Sequence, residues 1–208
     1  HDSDDVWHKD KLEKQINCFK DDSVDIVFCK LNRVNGHKYP DNIKSGLISP
    51  VTDVSNIGTQ TIIAKRQVFE KYKFDPEMPR FQELELLMRA TREFSLFCLD
   101  EELVDYYMGE DSISVNPVKL FKACSLIQKK DSSLLRYYPG TCHFMARELM
   151  CQAYVLKKQG NSDWLKYIHL SIGLDRSIKT AIKIMLVLLG FSPVNPLSAA
   201  QVSHKKYD

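Results

Sequence analysis

Apolar residues at helical spacing open the chain: Leu12, Ile16 and Phe19 fall at i, i+4 and i+7, which predicts a helix over 10–20. Asp10 and Glu13 stand where a capping box would start it. Val24 to Leu31 is a short β-prone run, closed by the turn-forming Asn35-Gly36. Residues 36–58 mix Gly, Pro, Asp, Asn and Ser without a period, as expected of a long loop. Thr59–Ala64 reads as a strand and Arg66–Tyr72 as a short helix. In 81–93, Phe81, Leu84, Leu87 and Met88 share one helical face, with Glu85 and Arg89 four apart on the other. Phe94–Leu99 and Leu103–Tyr107 are two further strands, separated by acidic residues.

Past Asn116 the texture changes. Helices are expected over 117–130, 143–158, 163–173 and 177–189, broken by Gly140, Gly160 and Gly173, with no repeat period. The pattern therefore predicts a mixed α/β part over 1–115 and a helical extension over 116–208. The longest apolar stretch, Ile184–Leu189, is far short of the roughly 20 residues of a membrane span.

Composition narrows the classes. Hydrophobic residues make up 44% and charged residues 27%, which excludes wholesale disorder. With 29 basic and 27 acidic side chains, the net charge of +2 gives no drive toward nucleic acid. The six cysteines form no CxxC pair and are too sparse for a disulfide scaffold, so reduced thiols in a cytoplasmic compartment are expected. No HxxxH, GxSxG, GxxxxGK[ST] or GxGxxG occurs, which excludes recognisable P-loop, Rossmann-fingerprint and α/β-hydrolase motifs.

Four constellations could carry chemistry. Asp2, Asp4 and Asp5 offer carboxylates of the kind that bind Mg²⁺ or Mn²⁺, or form a solvated acidic segment. In Arg80-Phe-Gln-Glu-Leu-Glu85, Glu83 lies off the apolar stripe and could act as a general base; it could equally complement the helix dipole. Asp105 to Ser114 is a strand leaving into a polar loop that could bind phosphate-linked metal or sugar, or cap the next helix. Arg176, Lys179 and Lys183 share one side of an apolar segment, which suits either an anionic membrane surface or a core helix with a solvated basic edge.

Taken in order, these segments resemble the catalytic half of a family 2 glycosyltransferase. The likeness rests on Asp2-Ser-Asp-Asp-Val-Trp7 with Asp10-Lys-Leu-Glu-Lys-Gln15, and on Asn56-Ile-Gly-Thr-Gln-Thr-Ile-Ile-Ala-Lys-Arg66 with Phe74-Asp75. Pro79-Arg-Phe-Gln-Glu-Leu-Glu-Leu-Leu-Met-Arg89 and Asp111-Ser-Ile-Ser114 complete it. It covers roughly residues 2–116, and the rest more loosely.

The resemblance implies the C-terminal part of a GT-A fold followed by an α-helical extension, in a chain that starts at the DXD element and lacks the nucleotide-binding half before it. It implies that Asp2, Asp4 and Asp5 meet a nucleotide-sugar donor's diphosphate. Asp4 and Asp2 would bind Mn²⁺ or Mg²⁺, and Glu83 would stand where the family has its base Asp. Gln82 and Arg80, with Ser112 and Ser114, would line the site loops. Where relatives have an Arg-x-His step, the chain has Tyr107-Met-Gly109.

The implied activity is inverting transfer of a sugar to a glycan or lipid-linked acceptor, in polysaccharide or cell-surface glycan synthesis. It would be cytoplasmic, with peripheral contact at the inner face of the plasma membrane through 176–191, and impaired in this truncated chain. The alternative is a non-enzymatic interaction or membrane-docking module.

Overall fold

The computed structural model describes residues 5–33, 45–55, 57–107, 116–131 and 133–193. The chain divides into two compact units at Asn116/Pro117.

The first unit is built on a five-stranded mixed sheet. β5 (Leu96–Tyr106) is its longest strand. β2 (Ile26–Arg33) runs parallel along one side of it, and β4 (Ile62–Ala64) pairs antiparallel with β2. The other side of β5 is shared by β3 (Gly46–Ile48), opposite Leu96–Cys98, and β1 (Val6–Trp7), opposite Val104 and Asp105. Asp25 locks the strand starts together. Its backbone N–H donates to Ser95 Oγ at 2.9 Å, and its carboxylate accepts from the Ser95 N–H at 3.1 Å.

The two strands expected at Phe94–Leu99 and Leu103–Tyr107 are one. The acidic residues between them sit where the β2–β5 register shifts, from Cys29↔Leu99 to Lys30↔Glu102 and then Leu31↔Val104. The extra residues are accommodated as a bulge. There Asp100 meets Lys30, and Glu101 accepts from Lys14 at 2.6 Å. Ladder pairing with β2 thus carries the strand through a polar patch, with β3 and β1 pairing before and after it on the other side.

Two other departures are local. Thr59–Thr61 forms a 3₁₀ turn before β4 rather than the start of a strand, and β3 lies within the expected 36–58 loop. Helices α2 (Arg66–Lys71) and α3 (Gln82–Ala90) follow the expected order. α3 is buried almost all round, however. Glu85 is only 6% exposed, so it does not lie on a solvated face. Its pairing with Arg89 holds: Nε and Nη2 reach its two carboxylate oxygens at 2.7 Å each.

The first helix reverses the expected polarity. α1 (Lys11–Cys18) forms where the period places it, but Leu12 and Ile16 face solvent while Lys11 and Gln15 are buried. Gln15 explains part of this, since its amide donates to Thr61 O at 2.8 Å and ties α1 to the turn before β4. The capping box does not form: Asp10 makes no side-chain cap and pairs with Lys14 at 2.7 Å.

The second unit is helical: α4 (Pro117–Lys130), the short α5 (Leu134–Tyr137), α6 (Pro139–Lys158), α7 (Trp164–Leu174) and α8 (Ile178–Leu188). Gly140 and Gly173 lie inside α6 and α7 and do not break them. Gly160 does end α6: at φ +71 it lets the Asn161 N–H reach back to Leu156 O. All six cysteines are free thiols, and burial pushes those of Cys29, Cys98 and Cys151 up to about 11, where they are poor nucleophiles.

Asp175 anchors the start of α8. Its carboxylate accepts from Thr180 Oγ1 at 2.6 Å and from the backbone N–H and hydroxyl of Ser177 at 2.9 and 3.0 Å; His143 Nδ1 lies 2.6 Å away. Burial alone would push this carboxyl up, but the hydrogen bonds outweigh it and hold it at about 2. A carboxyl depressed in the folded state adds stability that is complete above its unfolded value and lost as pH falls through the folded one. Asp175→Asn is therefore expected to cost roughly 2 kcal/mol at neutral pH. It should also flatten the acid dependence of thermal unfolding between about pH 4 and about pH 2. Circular-dichroism melts across that range check this, and an unchanged acid limb would refute it.

Candidate active site

Glu83 sits in the first turn of α3, half-buried, with Thr59 Oγ1 donating to its Oε2 at 3.2 Å. The turn that places it is strained. Phe81, the residue before α3, has φ +65, a left-handed backbone that costs a non-glycine residue of order 1 kcal/mol or more. Its ring is 8% exposed, and the Arg80 guanidinium lies 4.5 Å from the ring centroid. Burying the ring offsets the strain and fixes where Gln82 and Glu83 leave the turn. Arg80, Gln82 and Glu83 therefore share one rigid corner, and Thr59 is brought to it from 24 residues upstream.

Thr59 was not singled out from sequence. It lies in the Asn56–Arg66 segment, but no periodicity marks it as a partner of Glu83.

Of the acidic group, only Asp5 lies within the described residues; Asp2 and Asp4 lie outside them, as do Ser112 and Ser114. Asp5 is 4% exposed, and both its carboxylate oxygens are shut off from solvent. Two residues on, Trp7 receives the Lys11 ammonium over its ring, 3.9 Å from the centroid. Lys11 is fully buried, and its Nζ has no hydrogen-bond partner among the described residues. Burial pushes its pKa below the ordinary lysine value.

At the far end of β5, Asp105 accepts from Asn32 Nδ2 at 2.8 Å and lies 3.3 Å from His8 Nε2. The Asn32 hydrogen bond and His8 hold its carboxyl below the usual range. A cleft of about 320 Å³ opens nearby, lined by His8, Asp10, Lys14, Lys30 and Asp100 to Leu103. Its lysines are already paired with carboxylates in the cleft wall, and Glu83 does not line it. Among the described residues no three His, Cys, Asp or Glu side chains group to hold a metal ion.

No family model matches the chain. The amylovoran biosynthesis glycosyltransferase AmsB of Erwinia amylovora is 26% identical over 124 residues, which is 51% of the chain and 40% of AmsB. The chain spans less than half the length of that relative. Among solved structures, S. aureus TarS 1–349 in complex with UDP-GlcNAc matches with a TM-score of 0.60 at 15% identity, over 100% of the chain and 68% of TarS. The chain has the TarS fold. A second TarS 1–349 structure agrees, with a TM-score of 0.53 at 16% identity over 100% of the chain and 67% of TarS. The TarS fold bears out the α/β class expected from the sequence, and AmsB gives the chain a glycosyltransferase as a sequence relative.

Proposed function

We propose that the chain forms part of an inverting, family 2-like glycosyltransferase. It moves a sugar from a nucleotide-diphosphate donor to a hydroxyl of a glycan or lipid-linked acceptor, in polysaccharide or cell-surface glycan synthesis. The observation that carries this reading is Glu83: a half-exposed carboxylate on a strained, rigid corner, oriented by Thr59. The likeness to AmsB and to TarS, which was solved with UDP-GlcNAc, supports the reaction class and a UDP-sugar as the first donor to try.

In this reading Glu83 is the general base. It takes the proton from the acceptor hydroxyl as that oxygen attacks the anomeric carbon and the nucleoside diphosphate leaves from the opposite face, which inverts the configuration. Thr59 donates to Oε2 and so orients the carboxylate. Arg80 and Phe81 fix the backbone beneath it. A divalent cation, Mn²⁺ or Mg²⁺, would be held by Asp4 and Asp2, whose oxygens suit a hard ion, and would supply charge neutralisation to the diphosphate. Asp5, closed off from solvent, is the poorer ligand of the three.

The test is donor-dependent transfer from UDP-GlcNAc and other nucleotide sugars by the whole protein carrying this chain, followed by release of the nucleoside diphosphate. Thr59→Val is expected to lower kcat by roughly tenfold with little change in donor KM, because it removes orientation rather than binding. Failure of every nucleotide sugar to react in the unmodified protein would overturn the reading.

A further inference from the structure

Helix α8 carries its apolar residues on the wrong side for a core helix. Only Thr180 and Val187 of it are buried. Ile178, Ile182, Met185 and Leu189 recur at i, i+4, i+7 and i+11, and together with Leu188 and Phe191 they are between 50% and 80% exposed. They form one continuous ridge directed away from α6 and α7. A core helix with a solvated basic edge would show the reverse.

The charges beside the ridge are of one sign. Arg176, just ahead of α8, and Lys179 are exposed, Lys183 is half-buried, and residues 176–191 contain no acidic side chain. Burial and repulsion from Arg147 and Lys179 hold Lys183 below the ordinary lysine value, against attraction from Asp175 at the start of the helix. No helix among the described residues is long and apolar enough to cross a membrane.

We propose that α8 is an in-plane docking helix for an anionic lipid surface, with the Ile178–Leu189 ridge entering the headgroup region and Arg176, Lys179 and Lys183 meeting lipid phosphates. An apolar face flanked by basic residues, in a helix too short to span, is the geometry of interfacial binding. A second copy of the chain fits less well, because two-fold pairing of the ridges would bring together two flanks that carry no acidic side chain over 176–191. Anionic lipid supplies the missing counter-charge. The surface belongs to the helical unit and is independent of the chemistry proposed at Glu83.

The test is co-sedimentation of the full chain with phosphatidylcholine vesicles, with and without phosphatidylglycerol. Binding to the mixed vesicles is expected to be at least about tenfold tighter than to phosphatidylcholine alone, and to weaken with added salt. Ile182→Asp with Met185→Asp should abolish it. Lys179→Glu with Lys183→Glu should weaken it by more than tenfold, since each basic residue near such a surface is worth roughly fivefold. All four positions are exposed or half-exposed, and an unchanged circular-dichroism melt verifies that the variants fold. Equal binding to both vesicle types would overturn the proposal. So would absence of vesicle binding together with a dimer, seen by analytical ultracentrifugation, that Ile182→Asp dissociates.

Discussion

Glu83→Gln is expected to lower kcat for sugar transfer by roughly 10²- to 10⁴-fold, which is about 3–5 kcal/mol of barrier. The substitution keeps the shape of the side chain and leaves an oxygen for the Thr59 hydroxyl to donate to, so the corner built by Arg80 and Phe81 should stand. What it removes is the ability to accept a proton. A group that acts only in the transition state changes kcat and kcat/KM together, so donor KM should stay close to that of the unmodified protein. Glu83→Asp separates chemistry from architecture. It keeps a carboxylate one methylene shorter, the length the glycosyltransferase resemblance leads one to expect at this place. Measurable activity is therefore expected in the aspartate variant and almost none in the glutamine variant. Equal, nearly normal rates in both would remove Glu83 from the reaction.

Lys11→Met is expected to stabilise the first unit by about 1–3 kcal/mol. Taking an ammonium out of water without an acceptor is costly, and even buried ion pairs, whose charges do have partners, can be replaced by apolar residues of similar volume at no loss or with a gain of about 1–4 kcal/mol. Against this stands the loss of the contact with Trp7, worth roughly 0.5–2 kcal/mol. Methionine keeps the unbranched volume and a favourable approach to the aromatic ring.

The pH dependence distinguishes this origin from mere repacking. A lysine whose pKa is lowered by folding binds its proton more weakly in the native state than in the unfolded chain. Stability of the unmodified protein should therefore rise as pH climbs from that depressed value toward the ordinary lysine range, and be poorer below it. The methionine variant should lack this rise. Denaturant melts from neutral to alkaline pH measure both effects. A destabilised Lys11→Met would mean that the amine earns its place through a contact in the native state.

What the sequence made legible, and what it did not, divides along one physical line. Periodicity reports which residues share a face, and it placed α1, α3, α4, α7 and α8 to within a few residues of their observed ends. It does not report which face is inside. Leu12 and Ile16 of α1 share a face as expected, and Ile178, Ile182 and Met185 share one on α8, yet both faces look outward. The choice is made by distant partners, in α1 by the turn at Thr61 that takes the Gln15 amide.

The same holds for the acidic break at Asp100–Glu102. Local composition argues for two strands, but the ladder to β2 runs through the break and makes one. At the candidate site, Glu83 was recognisable because it leaves the apolar stripe in the first turn of its helix. Thr59 was not, because its role depends on the fold bringing the 3₁₀ turn to that corner.

The parallel pairing of β2 with β5 also sets the order in which the molecule can form. Asp25 and Ser95, which fasten the start of that pair, are 70 residues apart, and β1 must wait for Asp105. No early part of the chain can close the sheet on its own, because its longest strand arrives last and loop closure must come before any contact rewards it. In the helical unit, α6 and α7 are neighbours in sequence and can pair as soon as both exist. The unit made second is thus the one expected to fold faster once it has emerged. During synthesis, β2 has to stay soluble with an open edge until β5 emerges.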